Sequence, residues 1–577
     1  MKAAMTYMIF RISCLLLVLL ECSVCRPQNK PNIVIFLADD LGYGDLQATG
    51  NPISDTPNID ILYRDGLKLT QFYSSASICS PSRAGLLTGR YPVRSGFWIN
   101  EFKPSLRLNS PLGLPLNETT IAELVADQGY KSALIGKWHL GVGRNREFLP
   151  KHQGFNHFFG IPVSVFTSGC PPQICFPPDV PCVTTVCTST EPPLPLFLED
   201  EIIEQPVNLL TLIERQTIAA RSWVTEFSES DNPFLLMYWF VQPHVPHFAS
   251  SRFHNSTLGG DYTDSLAEMD WQIGDIITKL KEIGEFDNTL FLFTSDNGPD
   301  KSSGFQGGSS GPFRCGKSSA FEGGTRVPGV VYWPSRIAPG ISRELISHLD
   351  IFPTIASLIG SSVDNIQLDG YDISDVLFNM GKSPRSSLMF FNNTWKSPFA
   401  YRYNQYKAHS VLLESFSTIS EDLDNYNARC CNAMPLSQQD PSLLYNLHLD
   451  PEERVNIGEN KEMQSVLNQL HTARLLEESG LTYGESILHR SAAGRFQACC
   501  NEGCEPFPLC CQCVSNYTIE LFSNSQRVTS VSFGSSQFTW LVAFLIIFVT
   551  ALLSAIILLL IPRLRNKQNK QNYIKLT

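Results

Sequence analysis

The chain has 577 residues, of which 43% are hydrophobic and 17% charged, and it carries a formal net charge of −11. That composition excludes wholesale disorder, and the length calls for one large domain with a smaller one or for several compact units. An acidic balance without a basic stripe excludes a nucleic-acid partner.

Residues 1–25 read as a signal peptide. Lys2 and Arg11 supply positive charge, Cys14 to Leu20 is a short apolar run, and Ser23 and Cys25 are small residues placed for cleavage before Arg26. Asn32 to Ala38 is a β-branched apolar run, read as a buried strand, and it ends at Asp39-Asp40-Leu-Gly-Tyr-Gly44. A helical pattern covers Thr119 to Gln128. The next predicted strand, Lys131 to Ile135, is followed by Lys137 and His139. Cys170 to Pro195, rich in Cys, Pro and Thr, reads as a stapled loop. Phe234 to Val241 is a further strand, leading into Gln242-Pro-His-Val-Pro-His247. A helix is predicted over Asp264 to Ile283, and a strand from Thr289 to Thr294 runs into Ser295-Asp-Asn-Gly298.

Strands alternating with helices predict an α/β domain over residues 26–385, with a large, mixed but mainly parallel sheet flanked by helices. Ligands of such sheets bind beyond the carboxyl ends of the strands, so the polar clusters there are the place to look for chemistry. Past Arg385 the pattern turns to short strands and turns. A smaller α+β domain with a Cys knot is expected over 386–514, then a polar stalk over 515–537. Residues 538–561 are uncharged and long enough to span a bilayer. Arg563, Arg565, Lys567 and Lys570 follow, so the positive-inside rule makes 562–577 a cytosolic tail and the protein type I. A removed lipid-anchor signal is the alternative, but such signals normally end in their apolar tail.

Of the 17 Cys, three lie in the signal region. The rest read mainly as disulfide partners in an oxidising compartment. Zinc in the run Cys499 to Cys513 is disfavoured because no His lies inside it. Sequons at Asn117, Asn255, Asn392 and Asn516 all fall on the expected lumenal side.

The chemistry turns on Cys79-Ser-Pro-Ser-Arg-Ala-Gly-Leu-Leu-Thr-Gly-Arg90. By residue type alone Cys79 is a structural thiol, a disulfide partner or a nucleophile, Ser80-Pro81-Ser82 a turn or helix start, and Arg83 a surface residue. Asp39-Asp40 alone reads as a helix cap, and Lys137 and His139 as a solvated cation and a satisfied histidine. The whole segment, however, resembles the sulfatase signature, in which Cys-x-Pro-Ser-Arg precedes Leu-Thr-Gly-Arg. The resemblance runs from about Asn32 to Cys513. It is closest to the arylsulfatase A (cerebroside-sulfatase) branch, as Gly136-Lys-Trp-His-Leu-Gly141, Ser295-Asp-Asn-Gly298, Cys315-Gly-Lys317, Phe321-Glu-Gly-Gly-Thr-Arg326 and the terminal cysteine run also indicate.

That resemblance implies an alkaline-phosphatase-like sulfatase fold and a sulfuric ester hydrolase. It implies that Cys79 is oxidised during secretion to Cα-formylglycine by a formylglycine-generating enzyme. Asp39, Asp40, Asp296 and Asn297, with the modified Cys79, would bind one Ca²⁺, favoured over Mg²⁺. Lys137 and Lys317 would contact sulfate, Arg83 would hold the formylglycine region, and His139 would orient its hydroxyl. His244, with His247 as its rival, would give a proton to the leaving group or contact the sulfate, and Ser164 would face the substrate. The implied disulfides are Cys170–Cys187, Cys175–Cys182, Cys315–Cys430 (with Cys431 the alternative), Cys499–Cys511, Cys500–Cys513 and Cys504–Cys510. The chemistry suits the task, because sulfate-ester hydrolysis needs a nucleophile, cations for the sulfate oxygens and a proton for the leaving oxygen. Candidate substrates are sulfated glycolipids, glycosaminoglycan ends and small aryl or steroid sulfates, and an oligomer is compatible with the sequence. The alternatives are a catalytically inactive sulfatase-fold surface protein and a related phosphatase or phosphodiesterase. Tyr573-Ile-Lys-Leu576 resembles a tyrosine sorting signal, which favours lysosome or endosome over the cell surface or endoplasmic reticulum.

Overall fold

The computed structural model describes residues 30–514, apart from 99–105, 166–191, 231, 302–306, 335, 392–395, 414–435, 489–497, 502 and 506–509. Five of its strands run parallel and side by side: Thr289–Ser295, Asn32–Ala38, Phe234–Trp239, Lys131–Lys137 and His157–Ile161. Every residue of Asn32–Ala38, Phe234–Trp239 and Thr289–Ser295 is buried. Because successive side chains point to opposite faces, both faces of the sheet are covered, which explains the unbroken apolar runs. The full sheet has eleven strands. Leu67–Leu69, Gly329–Tyr332 and Gly340–Ser342 extend one side, and Leu196–Leu198, Glu201–Gln205 and Cys513–Val514 the other. Antiparallel pairs occur only in these flanks, so the sheet is mixed with a parallel centre. Truncating a fully buried centre residue such as Leu37 to Ala would cost about 2–5 kcal/mol.

The helix Leu209–Glu229 packs on the strands Lys131–Lys137 and Phe234–Trp239, and Asp261–Glu282 packs beside it. The helix expected from Thr119 begins instead at Ile121. Thr120 caps it, its side chain accepting from Glu123 N at 3.1 Å, while Glu123 Oε2 accepts from Thr120 N at 2.9 Å. The strand expected to stop at Ile135 continues to Lys137, paired with Ile161.

A second, four-stranded antiparallel sheet follows: Ser387–Phe390, Ala400–Tyr403, Tyr406–Leu413 and Leu436–Asn446, with the helix Gln464–Ser479 against it. It meets the first part of the chain through a buried charged cluster. Lys407 Nζ donates to Glu322 Oε1 at 2.8 Å and lies 3.3 Å from Glu453 Oε1. His409 Nε2 meets Glu453 Oε1 at 2.7 Å, and Glu453 Oε2 accepts from Glu322 N at 2.6 Å. Tyr73 donates to Glu322 Oε2 at 2.6 Å and accepts from Arg402 at 2.6 Å.

The expected disulfides Cys499–Cys511, Cys500–Cys513 and Cys504–Cys510 are formed. Cys513–Val514 pairs with Glu204 and Gln205, so the knot closes an otherwise open sheet edge. Cys315 is disulfide-bonded, whereas Cys430 and Cys431, like Cys170, Cys175, Cys182 and Cys187, lie outside the described residues. The signal peptide, stalk, candidate membrane span 538–561 and tail with Tyr573 also lie outside them. Among the described residues no helix is long and apolar enough to cross a membrane.

Candidate active site

The five parallel strands deliver their functional residues at one side of the sheet. Thr289–Ser295 leads directly into Asp296 and Asn297, and Asn32–Ala38 into Asp39 and Asp40. Phe234–Trp239 leads to His244, Lys131–Lys137 ends on Lys137 and leads to His139, and His157–Ile161 leads to Ser164. Cys79, the first residue of the fully buried helix Cys79–Thr88, lies against them. Its Sγ is 3.5 Å from Asp39 Oδ1 and 3.9 Å from Asp40 Oδ1. It is the one free cysteine among the described residues.

Three cations face three carboxylates. Lys137 Nζ donates to Asp39 Oδ2 at 2.5 Å, and Lys317 Nζ to Asp40 Oδ2 at 2.6 Å. Arg83 Nη2 lies 2.8 Å from Asp296 Oδ2 and 3.5 Å from Asp39 Oδ1, and Nη1 donates to Lys137 O at 2.7 Å. The guanidinium also sits 5.3 Å from the Trp239 ring centroid. Arg83 and Lys137 are fully buried, which overturns the surface readings their types alone suggest, and His139 is nearly so. A buried charge needs a partner, and each of these cations has one.

His244 Nε2 lies 3.4 Å from Asp40 Oδ2, 3.2 Å from Lys317 Nζ and 3.3 Å from Ser164 Oγ, while Nδ1 meets Val245 O. His247 instead sets its ring edge-on to Tyr262. The geometry thus places His244 against Asp40, Lys317 and Ser164. His139 Nε2 meets Leu106 O at 3.1 Å, and its Nδ1 is buried without a hydrogen-bond partner among the described residues. Asp40 and His139 hold φ of 63° and 57°, a left-handed conformation that non-glycine residues adopt at some expense and that is often found at functional sites.

The electrostatics follow from burial among alternating charges. Burial pushes the Asp39 carboxyl up, but Lys137, His244 and Arg83 outweigh it and hold Asp39 well below the usual range. Asp40 is lowered the same way, burial being overcome by Lys317 and His244. Burial, then the neighbouring Asp39, pushes Asp296 up. Burial raises the Cys79 thiol, despite Lys137 and Lys317. Burial, then Lys317, lowers His244, and burial, then Lys137, lowers His139.

The residues fit a hard dication. Ligand atoms of Asp39, Asp40, Cys79 and His244 lie within 4.8 Å of one another. Asn297 Nδ2 donates to Asp40 Oδ1 at 2.7 Å, and the amide Oδ1 of Asn297 is buried with no hydrogen-bond partner among the described residues. Carboxylate and amide oxygens are the donors that Ca²⁺ or Mg²⁺ takes. Asp296 Oδ1 accepts from Asp40 N at 3.1 Å, tying the two strand ends together.

Sequence reasoning missed the supports behind these residues. Leu106 O fixes His139, and the buried His348 reaches Ser82 Oγ at 3.5 Å and Thr294 Oγ1 at 3.3 Å behind the Cys79 helix. A backbone carbonyl leaves no mark in residue types, and an isolated His348 looks like any core histidine.

Comparison with known proteins agrees with the geometry. Residues 31–361 match the family model described as Sulfatase, and 383–513 the model for the C-terminal region of aryl-sulfatase. Arylsulfatase A of Homo sapiens is 41% identical over 500 residues, covering 85% of this chain and 96% of that protein. Steryl-sulfatase of Homo sapiens is 34% identical over 514 residues, covering 77% of this chain and 87% of that protein. Among solved structures, the PsFucS1 sulfatase from Pseudoalteromonas sp. superposes with a TM-score of 0.67 at 27% identity, covering 79% of this chain and 92% of that one. The large mixed sheet with its smaller antiparallel sheet is thus the alkaline-phosphatase-like sulfatase fold. With matches of this length bearing on both sheets, the chain belongs to the sulfatase family and is a sulfuric ester hydrolase.

Proposed function

We propose that this hydrolase works with a Cα-formylglycine at position 79 and one Ca²⁺ held by Asp39, Asp40, Asp296, Asn297 and residue 79. The observation that carries the reading is the convergence of Cys79, three carboxylates and three cations at adjacent strand ends. The modified residue, as its hydrate, would supply two hydroxyls on one carbon, one to attack sulfur and one to release sulfate. The ion would supply positive charge beside the sulfate oxygens.

The remaining work falls to this chain's own side chains. Lys137 and Lys317 hold the sulfate oxygens, each kept in place by a carboxylate. Arg83 braces Asp296 and the carbonyl of Lys137, so it positions the metal-binding and sulfate-binding residues together. His139 donates from Nε2 to Leu106 O, which leaves Nδ1 as an acceptor for a hydroxyl at position 79. His244 donates a hydrogen bond from Nδ1 to Val245 O, so Nε2 is the atom turned to the sulfate, and as the imidazolium it would pass its Nε2 proton to the leaving oxygen. Ser164, bonded to that Nε2, faces the substrate.

The substrate class is an aryl sulfate or a sulfated glycolipid or glycan. The layout is a catalytic domain over 26–385, a smaller domain over 386–514, a stalk, one membrane helix over 538–561 and a cytosolic tail. The uncharged span with basic residues behind it supports the anchor, and Tyr573-Ile-Lys-Leu576 supports lysosomal or endosomal residence. The test is sulfate release by the purified full chain from an aryl sulfate, a sulfated glycolipid and a sulfated glycosaminoglycan, with an aryl phosphate alongside, and peptide mass spectrometry at position 79. An unmodified, alkylatable Cys79 in active protein would overturn the formylglycine reading, and turnover of the phosphate alone would overturn the substrate class.

A further inference from the structure

Asp45 is buried to 1% exposure, and none of the roles above uses it. Its carboxylate accepts three hydrogen bonds. Gly42 N and Tyr262 OH donate to Oδ2, each at 2.6 Å, and Ser309 N donates to Oδ1 at 2.7 Å. Beside them, Gly44 N donates to Ser309 O at 2.8 Å. The two loops approach so closely that a Cβ on Gly42 would lie 2.1 Å from Ser309 O. One on Gly308, at φ +83°, would lie 2.6 Å from Asp45 Oδ2. Tyr262 brings in a third segment, the first turn of Asp261–Glu282, and its ring lies edge-on to His247 at 5.2 Å.

The two loops joined at Asp45 are the ones that carry the opposed charges of the site. The first holds Asp39 and Asp40, the second Lys317, and Lys317 meets Asp40 at 2.6 Å. An ammonium on a flexible stem does not by itself fix the distance between two loops. Bonds from one buried carboxylate to a backbone N–H on each loop do. We propose that Asp45 is a positioning residue: its clasp on Ser309 and Tyr262 holds the Lys317 loop at the spacing from Asp40 that lets Lys317 engage a sulfate group. The inference rests on the reading of Lys317 as a sulfate contact.

Burial pushes the Asp45 carboxyl up to about 7, against Tyr262, the Gly42 and Ser309 N–H groups and Lys301. Protonation does not open the clasp, because each oxygen of the acid still accepts and the Tyr262 hydroxyl can reverse to accept in turn. An amide cannot do this. It has one acceptor oxygen, so Asp45→Asn must abandon either Gly42 N–H or Ser309 N–H.

The test uses the full chain and its Asp45→Asn, Tyr262→Phe, Lys317→Ala and Asp45→Asn/Lys317→Ala variants. Melting temperature, kcat and KM for a small aryl sulfate, and Kd for inorganic sulfate by calorimetry are measured for each. Asp45→Asn should raise KM and the sulfate Kd about 10-fold while kcat falls far less, with melting little changed. In the Lys317→Ala background it should weaken sulfate binding no further. Equal weakening in both backgrounds, or unchanged constants in a folded Asp45→Asn, overturns the proposal. If Asp45→Asn does not fold, Tyr262→Phe decides: it removes one of the three bonds and should raise the sulfate Kd about 3-fold, and an unchanged Kd overturns the clasp. A wild type that binds sulfate yet releases none from aryl sulfates defeats the proposed function, while the Kd series still decides on Asp45. A wild type that binds no sulfate defeats both.

Discussion

Lys317 and Glu322 lie on one short stretch of chain, yet they belong to two buried charge clusters with different ends. Around Glu322, both oxygens of each carboxylate are taken: Glu322 by Lys407, Tyr73 and Arg326, and Glu453 by His409, Lys407 and the Glu322 amide. Apolar rings close over it, with Phe321 stacked on His409 at 4.4 Å and Lys407 Nζ 4.3 Å from the Phe390 centroid. Around Lys317, the acceptors Asn297 Oδ1 and His139 Nδ1 are buried with no partner among the described residues, and Asp40 and His139 hold left-handed backbone angles. The first cluster spends its carboxylate oxygens inside the protein and joins the two sheets, although His409 Nδ1 is also buried with no partner among the described residues and Glu453 also holds a left-handed φ of 56°. The second lies beside Cys79 at the strand ends, where the proposed ion and substrate would bind.

The comparison breaks if damage to one cluster has the effects assigned to the other. Cys79→Ala should have the largest consequence, a loss of turnover of about 10⁴-fold or more, with a melting temperature close to wild type because the helix Cys79–Thr88 keeps its packing. Turnover assays and thermal melts of the same preparation check both halves. Lys407→Met should do the reverse. It strands Glu322 and Glu453 in the junction and should destabilise the fold by about 3–5 kcal/mol in urea unfolding. Its KM for the folded fraction should stay unchanged.

Acid titration sharpens the contrast. Burial raises the Glu322 carboxyl, but Lys407, Arg326 and Arg402 overcome it and hold it down to about 2. A carboxylate depressed in the folded state contributes stability above its unfolded value of about 4.5, and that contribution disappears as pH falls towards 2. The loss should reach about 3 kcal/mol across that window. Glu322→Gln should be less stable than wild type at pH 7, with the gap narrowing steadily between pH 4.5 and 2. Urea midpoints at several pH values measure this, and a gap that stays constant would place the acid sensitivity elsewhere.

How much of this could be read from residues alone differs between the clusters. The parallel strands announced themselves as apolar runs ending in polar groups, and the long motif around Cys79 pointed to the family, so the residues that the structure gathers at the strand ends could be named. Arg83 and Lys137 were not recognisable as buried from their types, because burial of a cation depends on partners supplied by distant strands: Asp296 and Asp39. The junction was invisible for the same reason. Glu322 was noted within its motif, but Lys407, His409 and Glu453 sit in a region of short strands with no spacing to mark them. Asp45 directly follows the quoted run ending at Gly44, yet only the approach of Ser309 and Tyr262 gives it a role.

The smallest expected effect separates the clusters most cleanly, because it adds charge rather than removing it. A dication placed among Asp39, Asp40, Asp296 and Asn297 meets oxygens that the folded chain alone brings together, so it binds the native state in preference to the unfolded one. At a free Ca²⁺ concentration 100 times Kd, the native state should gain about 2.7 kcal/mol over chelator-treated protein. Asn297→Leu removes the amide oxygen without adding a charge, and it should shrink the Ca²⁺-dependent rise in melting temperature. Lys407→Met should melt lower throughout yet show the full rise, since it leaves Asp39, Asp40, Asp296 and Asn297 untouched. If Ca²⁺ instead rescued Lys407→Met more than wild type, the junction would be the better cation site, and the division between a closed cluster and an open one would fail.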